Sequence, residues 1–520
     1  MKKKLLVMIL TVFCFLIVFS ESYQYYIYQN DVEIGNILVE FYPESYLGKT
    51  TSTFEISGNI IKYVAETKYD KTWDFKEYSL DIFVDNQKQG TLTSTYDGKK
   101  IQNKFNGIKL KSYNAKNAII LDNNFIFDHI FAILYKELSE ATYTAFVPQL
   151  VLNQSTWDLA ILDIRLKFKD SETLIISSLG VEQYITFKDK KIIEYEIPAQ
   201  GFEVTEVKKE QKEKNYIEKE ISFNSFDDGF KLEGSLMIPS NFKTGTQLPA
   251  FVLVHGSGPN DRNETMGPLA PFKDLSEQLV SNNFIVLKYD KRTYTMIKNN
   301  QDALNVMPED FIKDAQAAIR YLKTLPEVDQ DKIIVIGHSQ GASFLPYIVE
   351  GQNVAAAIAI SPGIIEITDL MVYQIEYQIK NLEKLNKDNI YDDLINQLKS
   401  LLPEMKEINE KMKKEEIEPD NIYLDSMTGK FLLQWSELTQ NMVDKFINMK
   451  VPVLIINGTE DLKTPYELLK EKENELKSKE DLQIIYIENM GHELYKTGTA
   501  KFEEKVVEQI KLWLKNLELK

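Results

Sequence analysis

The segment 337–341, Gly-His-Ser-Gln-Gly, has the residue types and spacing of a nucleophile turn. In the pattern G-x-S-x-G, the serine occupies a sharp turn between a strand and a helix, and the glycines stand where a Cβ would crowd that turn. An apolar run at 333–336 precedes the segment and is typical of a buried strand. Ser339 is therefore the candidate nucleophile.

A serine hydroxyl is a weak nucleophile near neutral pH, so it needs an adjacent base and an acid that orients the base. Where a serine lies on this type of turn, the acid and then the histidine follow it in the chain. Only one of the four histidines, His492, comes after Ser339, and it follows a predicted strand at 482–487. His492 is therefore the candidate base.

The acid should follow the predicted strand at 453–456, where the chain reads Asn-Gly-Thr-Glu-Asp. We predict Asp461 as the acid, with Glu460 as the alternative because both carboxylates could reach from one loop. The acid would hold the imidazole in the required tautomer and stabilise the imidazolium that forms.

Acyl transfer also needs N–H donors for the oxyanion that develops on the substrate carbonyl. One should be the backbone N–H of Gln340, which follows the nucleophile. The other should come from the loop 255–259, which follows a predicted strand at 250–254. We predict the N–H of Ser257, with that of Gly258 as the alternative.

The other three histidines are predicted to be structural. His255 would order the oxyanion loop, and His129 would be a hydrogen-bonded core residue. His338 would pack beside the turn, with a substrate contact as the alternative.

Two charged groups lie near the predicted site, at 261–262 (Asp-Arg) and at 290–292 (Asp-Lys-Arg). We predict that they form ion pairs that brace the loops. The alternative is that Arg262 or Arg292 binds the carboxylate of an acidic substrate.

Strands alternate with helical patterns from residue 217 onwards, which predicts an α/β fold with a mainly parallel sheet flanked by helices. About residues 364–449 interrupt this order and are predicted to form helices at 370–385, 390–402, 404–416 and 431–449. We interpret them as a helical cap over the C-terminal edge of the sheet, where ligands bind, rather than as helices packed elsewhere. The following aromatic and aliphatic residues of the cap are candidates for an apolar acyl pocket, although a helical core would look the same: Tyr373, Tyr377, Met427, Phe431 and Trp435.

Residues 21–207 alternate between polar and apolar side chains and are rich in turn signals, which predicts a β-rich domain with one helix at 128–138. A charged segment at 208–216 is predicted to link it to the catalytic domain, residues 217–520.

Residues 1–20 combine three lysines with 15 uncharged residues, Leu5 to Phe19, too few to span a bilayer. They predict a signal peptide and export, with an uncleaved membrane anchor as the alternative.

The chain has 520 residues, a formal net charge of -17 and one cysteine. This charge argues against nucleic acid as a partner, and the cysteine count excludes disulfides and thiolate metal clusters. The predicted chemistry needs no metal or organic cofactor. The composition predicts no oligomeric state.

Three segments carry a resemblance to a known family: 248–265 (LPAFVLVHGSGPNDRNET), 271–292 (PFKDLSEQLVSNNFIVLKYDKR) and 336–343 (IGHSQGAS). They resemble the α/β-hydrolase superfamily, in particular bacterial secreted serine carboxylesterases with an extra N-terminal domain. The resemblance implies Ser339 as nucleophile, Asp461 as acid and His492 as base, and hydrolysis of small carboxylic esters through an acyl-enzyme.

Two other functions stay open at this stage. A peptidase or amidase of the prolyl-oligopeptidase-like type would use the same three residues, although residues 21–207 are too few for its long propeller. A cell-surface binding protein would instead use the β-rich domain and need no catalysis.

Overall fold

A computed structural model describes residues 21–56, 58–122, 124–210, 214–225, 228–386, 391–424 and 427–519. The chain divides into two compact units, one up to residue 211 and the other from residue 212. The predicted signal peptide, residues 1–20, lies outside the described residues. None of the helices in the described ranges is long and apolar enough to cross a membrane.

The first unit is built on one sheet of 16 strands, and neighbouring strands are antiparallel except β10 and β11. Its order is β10-β11-β12-β13-β14-β15-β16-β1-β2-β3-β4-β5-β6-β7-β8, with β9 paired to β7. The strands are β1 Glu21–Gln29, β2 Val32–Tyr42, β3 Leu47–Ile56, β4 Asn59–Tyr69, β5 Phe75–Val84, β6 Gln87–Tyr96, β7 Lys100–Phe105, β8 Ile108–Lys109, β9 Tyr113–Asn114, β10 Ile119–Ile120, β11 Ala141–Phe146, β12 Ile161–Phe168, β13 Thr173–Ser178, β14 Val181–Lys188, β15 Lys191–Ile197 and β16 Phe202–Thr205. Four short 3-10 helices lie at Pro43–Ser45, Pro148–Leu152, Gln154–Leu159 and Pro198–Gln200.

One α-helix, α1 (Asp128–Lys136), packs its apolar side chains into the core of this unit. It ends two residues before the predicted boundary, because Glu137 adopts a left-handed conformation with φ 52°. His129 on this helix is fully buried, and its ring contacts the Thr67 hydroxyl at 3.1 Å and the Asp122 backbone N–H at 3.1 Å. The prediction of a hydrogen-bonded core histidine is confirmed.

The second unit contains a sheet of eight strands in the order β17-β18-β20-β19-β21-β22-β25-β26. The pairs β17–β18 and β18–β20 are antiparallel, and every other pair is parallel. The strands are β17 Tyr216–Asn224, β18 Lys231–Pro239, β19 Leu248–Val254, β20 Ile285–Tyr289, β21 Val328–His338, β22 Ala356–Ile360, β25 Val453–Gly458 and β26 Leu482–Ile487.

Helices cover both faces of this sheet, and this explains why its central strands are almost continuously apolar. In β21, Ile333 and Val335 face one core cluster, while Ile334 and Ile336 face the other. The helices outside the inserted segment are α2 Pro271–Val280, α3 Arg292–Lys298, α4 Pro308–Lys323, α5 Gln340–Ser343, α6 Leu345–Ile348, α11 Tyr466–Leu476 and α12 Lys505–Asn516.

The inserted segment between β22 and β25 is helical, as predicted, but its helix boundaries differ. It contains α7 Ile367–Leu385, α8 Asp392–Lys413, the short strands β23 Ile422–Tyr423 and β24 Met427–Thr428, α9 Gly429–Thr439 and α10 Met442–Asn448.

The prediction of two helices on either side of Pro403 is wrong, because α8 continues through this proline. Its two halves bury Ile395 and Ile408, and this packing outweighs the hydrogen bond that proline cannot donate. The prediction of one helix at 431–449 is also wrong. Asn441 is left-handed, with φ 51°, and separates α9 from α10.

Candidate active site

Ser339 occupies a strained turn between β21 and α5, with φ 52° and ψ -113°. Its backbone N–H donates to the Ile360 carbonyl at 2.9 Å, which ties the turn to the neighbouring strand β22. A Cβ on Gly337 would lie 2.4 Å from the Gly341 carbonyl oxygen, and a Cβ on Gly341 would lie 2.4 Å from the Val254 carbonyl oxygen. Glycine at both positions therefore allows the close backbone packing that holds a non-glycine residue at positive φ.

The predicted acid and base are in direct contact. His492 Nδ1 lies 2.9 Å from both carboxylate oxygens of Asp461. The carboxylate also accepts backbone N–H groups from Lys463 and Thr464, at 2.9 and 2.8 Å, and the Thr464 hydroxyl at 2.8 Å. Asp461 is thus held rigidly, and it directs the other ring nitrogen of His492, Nε2, away from itself.

Burial alone would raise the pKa of Asp461, because it disfavours the charged form. The charge of His492 and the hydrogen bonds to the carboxylate outweigh burial, so the pKa lies below its ordinary value. Asp461 therefore stays ionised at neutral pH. The alternative acid, Glu460, is exposed and makes no hydrogen bond to His492 in the described structure.

Ser339 and His492 line the same cavity. His492 is buried and Ser339 is half-buried. Among the described residues, no hydrogen bond joins the serine hydroxyl to the imidazole. Catalytic hydrogen bonds are often long or poorly aligned without substrate and tighten when it binds.

The loop after β19 forms part of the same cavity through Gly256, Ser257 and Gly258. The Gly256 N–H is already occupied, because it donates to Glu264 Oε1 at 2.6 Å. Within the described ranges, no backbone or side-chain acceptor takes the N–H of Ser257, Gly258 or Gln340. These three groups are therefore available as donors to a ligand. Both Ser257 and Gly258 remain candidates for the second oxyanion donor.

A buried ion pair that the sequence analysis did not predict lies beneath these loops. Glu264 Oε2 lies 2.9 Å from His338 Nδ1, and His338 Nε2 lies 2.9 Å from the His492 carbonyl oxygen. Both nitrogens of His338 face acceptors, so the ring donates from both and carries a proton on each. Through Gly256, Glu264 and His338, the oxyanion loop, the nucleophile turn and the His492 loop are joined by hydrogen bonds.

The pKa values of this pair shift in opposite directions. Burial works against the charge on each group, but each stabilises the charge of the other. As a result the pKa of Glu264 falls below its ordinary value of 4.5, and that of His338 rises above 6.5. His338 therefore does not only pack beside the turn, as predicted. It also forms a charged pair with Glu264 and a hydrogen bond to the His492 carbonyl.

His255 is structural, as predicted, but it orders the loop by packing. Its ring lies 5.3 Å from that of Phe272 and 5.1 Å from that of Tyr289, centroid to centroid. Burial lowers its pKa to about 4, so the ring is neutral. Its Nε2 has no hydrogen-bond partner among the described residues.

The two arginines near the site form the predicted bracing ion pairs. Arg262 NH2 lies 2.9 Å from Asp290 Oδ2, and Arg292 Nε lies 2.7 Å from Asp314 Oδ2. Neither arginine lines the cavity of Ser339. The alternative of a carboxylate-binding arginine is therefore not favoured.

The cavity has a volume of about 800 Å³ and is mostly apolar. The inserted helical segment forms much of its wall, which places that segment over the site as a cap. Its apolar cap lining consists of Ile365, Ile367, Leu370, Met371, Met405, Leu424, Met427, Phe431 and Trp435.

Two of the five predicted pocket residues are not part of this wall. Tyr377 donates its hydroxyl to Glu467 at 2.9 Å, and Tyr373 stacks on the Tyr377 ring.

Over the part of the chain that the structure describes, no group of three or more histidine, cysteine, aspartate or glutamate side chains could hold a metal ion.

We expect Glu264→Gln to destabilise the protein by about 3 kcal/mol, because it leaves a buried histidine without its counter-charge. The contribution of Glu264 is complete above pH 4.5 and is lost as the pH falls through its lowered pKa. The contribution of His338 is complete below pH 6.5 and is lost as the pH rises through its raised pKa. The free energy of unfolding in urea should therefore differ most between wild type and Glu264→Gln at pH values between 4.5 and 6.5.

Glu376→Gln is the matched control, since Glu376 forms an ion pair with Lys406 at 2.7 Å and both side chains are about half exposed. Its effect should stay below about 1 kcal/mol. Equal losses in the two variants, or a pH-independent difference for Glu264→Gln, would contradict a buried charged pair.

Comparison with known proteins gives consistent matches. Residues 250–497 match the family model described as Hydrolase_4, serine aminopeptidase, S33. The chain is 29% identical over 372 residues to Esterase EstD of Thermotoga maritima. The matched region covers 68% of this chain and 79% of that protein. Among solved structures it is similar to Est1E from Butyrivibrio proteoclasticus (17% identity, TM-score 0.39, 58% of this chain and 99% of that one). It is also similar to the Pyrococcus furiosus esterase Pf2001 (19% identity, TM-score 0.37, 60% and 96%).

The sheet order of the second unit, the strained serine turn and the match to an esterase agree with the resemblance stated above. The second unit has an α/β-hydrolase fold and follows a β-rich N-terminal unit, and the chain is a hydrolase of the carboxylesterase type.

Proposed function

We propose that the protein is an exported serine esterase that cleaves carboxylic esters through a covalent acyl-enzyme on Ser339. The observation that carries this proposal is the paired contact of Asp461 with His492 Nδ1, at 2.9 Å to each oxygen, beside the cavity that Ser339 lines. It leaves Nε2 as the nitrogen that can exchange a proton with the serine hydroxyl.

In the first half of the reaction, His492 Nε2 takes the proton from the Ser339 hydroxyl as Oγ attacks the ester carbonyl. The ionised Asp461 stabilises the imidazolium. The oxyanion accepts hydrogen bonds from the free N–H of Gln340 and from Ser257, with Gly258 as the other candidate. His492 then returns the proton to the departing alcohol, and the acyl group stays on Ser339.

In the second half, water takes the place of the alcohol. His492 accepts a proton from the water, whose oxygen attacks the acyl carbonyl, and then returns the proton to Ser339 Oγ as the carboxylic acid leaves. All proton transfers use side chains of this chain.

We expect Ser339→Ala to abolish hydrolysis of p-nitrophenyl esters, a loss of about a million-fold in kcat, because the nucleophile is gone. Asp461→Asn should lower kcat by about 10⁴-fold, since the amide favours the wrong tautomer of His492. The measurement is steady-state kinetics on folded protein. Glu460→Gln is the control and should leave kcat unchanged.

Equal effects of Glu460→Gln and Asp461→Asn would contradict the assignment of the acid. The same assay separates the rival enzyme, a peptidase or amidase. Faster turnover of peptide p-nitroanilides than of the corresponding esters would support that rival.

We further propose that the substrates are neutral esters with an apolar acyl or aryl group. The support is the cavity of about 800 Å³, whose cap wall is apolar and whose lining lysine, Lys463, is already paired with Glu493 at 2.7 Å. Burial of each methylene in such a wall stabilises the bound substrate by about 0.8 kcal/mol.

A substitution that narrows the cavity tests this substrate class. Met405→Trp replaces a lining residue of α8 with a larger one and should exclude about two methylenes, raising KM for the longest accepted p-nitrophenyl ester about tenfold. KM for the acetate should not change. Tyr373→Ala is the control, because Tyr373 lies in the cap outside this lining. An unchanged chain-length profile in Met405→Trp would show that acyl groups bind elsewhere.

Export is proposed from the sequence of residues 1–20 alone. Expression of the full chain in a bacterium should yield processed protein outside the cytoplasm, with Glu21 as the first residue by N-terminal sequencing. Full-length protein in the cytoplasm would contradict the proposal.

A further inference from the structure

Lys291 is a buried cation that the reaction described above does not use. It follows β20 and is only 3% exposed. Its ammonium donates to the Gly256 carbonyl oxygen at 2.6 Å and to Gln340 Oε1 at 3.0 Å, and it lies 4.2 Å from the centre of the Phe311 ring. It therefore links the two segments that carry the candidate oxyanion donors.

The carbonyl that Lys291 binds belongs to the same peptide group as the Ser257 N–H. A trans peptide group is planar, and its C=O and N–H point in opposite directions. Anchoring the Gly256 oxygen from behind therefore sets the direction of the Ser257 N–H. Asn260 Nδ2 adds a second, weaker anchor on the same oxygen at 3.1 Å.

The charge on Lys291 also polarises this peptide group. A hydrogen bond to a carbonyl oxygen strengthens the donor at the other end of the amide, and a charged donor in a buried site does so more strongly. The Ser257 N–H should therefore stabilise a developing negative charge better than an ordinary amide.

The surroundings of Lys291 differ from those of the other cations near the site, which are buried or partly buried. Arg262, Arg292 and Lys288 each form an ion pair with a carboxylate, at 2.9, 2.5 and 3.2 Å. No carboxylate of the described residues lies within ion-pair distance of Lys291. An unpaired buried ammonium destabilises a fold, so bracing alone does not account for a lysine here.

We propose that Lys291 is a positioning residue that orients and polarises the Ser257 amide as an oxyanion donor. This rests on the proposed function, and it selects Ser257 over Gly258 as the second donor. The effect is exerted on the transition state, in which the oxyanion exists, and not on binding of the neutral ester.

The charge on Lys291 depends on pH. Burial lowers the pKa of Lys291 to about 7, while the nearby carboxylates of Glu264 and Asp314 oppose that shift. The neighbouring His255 is neutral. The ammonium, and with it the polarisation, is present at lower pH and is lost as the pH rises through about 7.

The experiment uses the full chain and compares Lys291→Met with wild type. We expect kcat for a p-nitrophenyl ester to fall about tenfold to a hundredfold, with KM changed less than about threefold. The inhibition constant of a trifluoromethyl ketone, which forms an oxyanion adduct with the serine, should rise in proportion. The alkaline decrease of kcat/KM expected for wild type should be absent from the variant.

Lys288→Met is the matched control, because Lys288 is buried on β20, three residues before Lys291, but binds Asn263 and Glu218. It should keep kcat even if it lowers Tm. If Lys291→Met does not fold, Lys291→Gln, which keeps an N–H donor without the charge, replaces it with the same expected direction.

Two results would overturn the proposal. One is a kcat within twofold of wild type in the folded Lys291 variant. The other is a lower kcat without any change in the inhibition constant of the ketone. A wild-type enzyme without ester hydrolysis would instead refute the proposed function, so the two failures are distinguishable.

Discussion

The contact between Asp461 and His492 is the interaction on which the rest of the site depends. An imidazole can act as a base toward serine only if one nitrogen is held as a donor and the other is left free. Here the carboxylate receives Nδ1 symmetrically, at 2.9 Å to each oxygen, and is itself fixed by three further donors. Asp461 and His492, the candidate acid and base, lie in the loops after β25 and β26, so the parallel register of these strands brings them together.

A set of buried charges holds the loops around this contact. Glu264 and His338 join the loop after β19 to the carbonyl of His492, and Lys291 joins the same loop to Gln340. Loops are usually the most mobile parts of a fold, and such groups restrict them at a cost in desolvation. The buried charges lie where the loop after β19, the nucleophile turn and the His492 loop meet, and they fix the positions of these three segments relative to one another.

Much of the fold could be predicted from the sequence, because apolar runs in parallel strands and the order of serine, acid and histidine are local signals. The strands predicted at 250–254, 333–336, 453–456 and 482–487 are present as β19, β21, β25 and β26, and the first three are longer than predicted. The structure also brings Asp461 and His492 together and places Ser339 in the cavity that His492 lines. The boundaries of the cap helices were less predictable, because packing lets α8 pass through Pro403 and a left-handed Asn441 ends α9 early.

The supporting charges could not be predicted for a different reason. Glu264 lies in a polar loop and meets His338 only after 74 residues of chain have folded back. Lys291 stands in a charged run for which the sequence predicts bracing ion pairs, whereas the folded chain buries it against the Phe311 ring. Tyr373 and Tyr377 are predicted pocket residues, but they stack on each other and Tyr377 binds Glu467. An aromatic pair at helical spacing is compatible with either arrangement, so the sequence does not distinguish them.

The most direct test of the central claim is the site of covalent labelling by a fluorophosphonate, mapped by mass spectrometry of the intact protein and its peptides. We expect one adduct per chain, on the Ser339 hydroxyl, and a much slower reaction in His492→Ala. An adduct on another residue, or labelling of Ser339 at the same rate without His492, would contradict it.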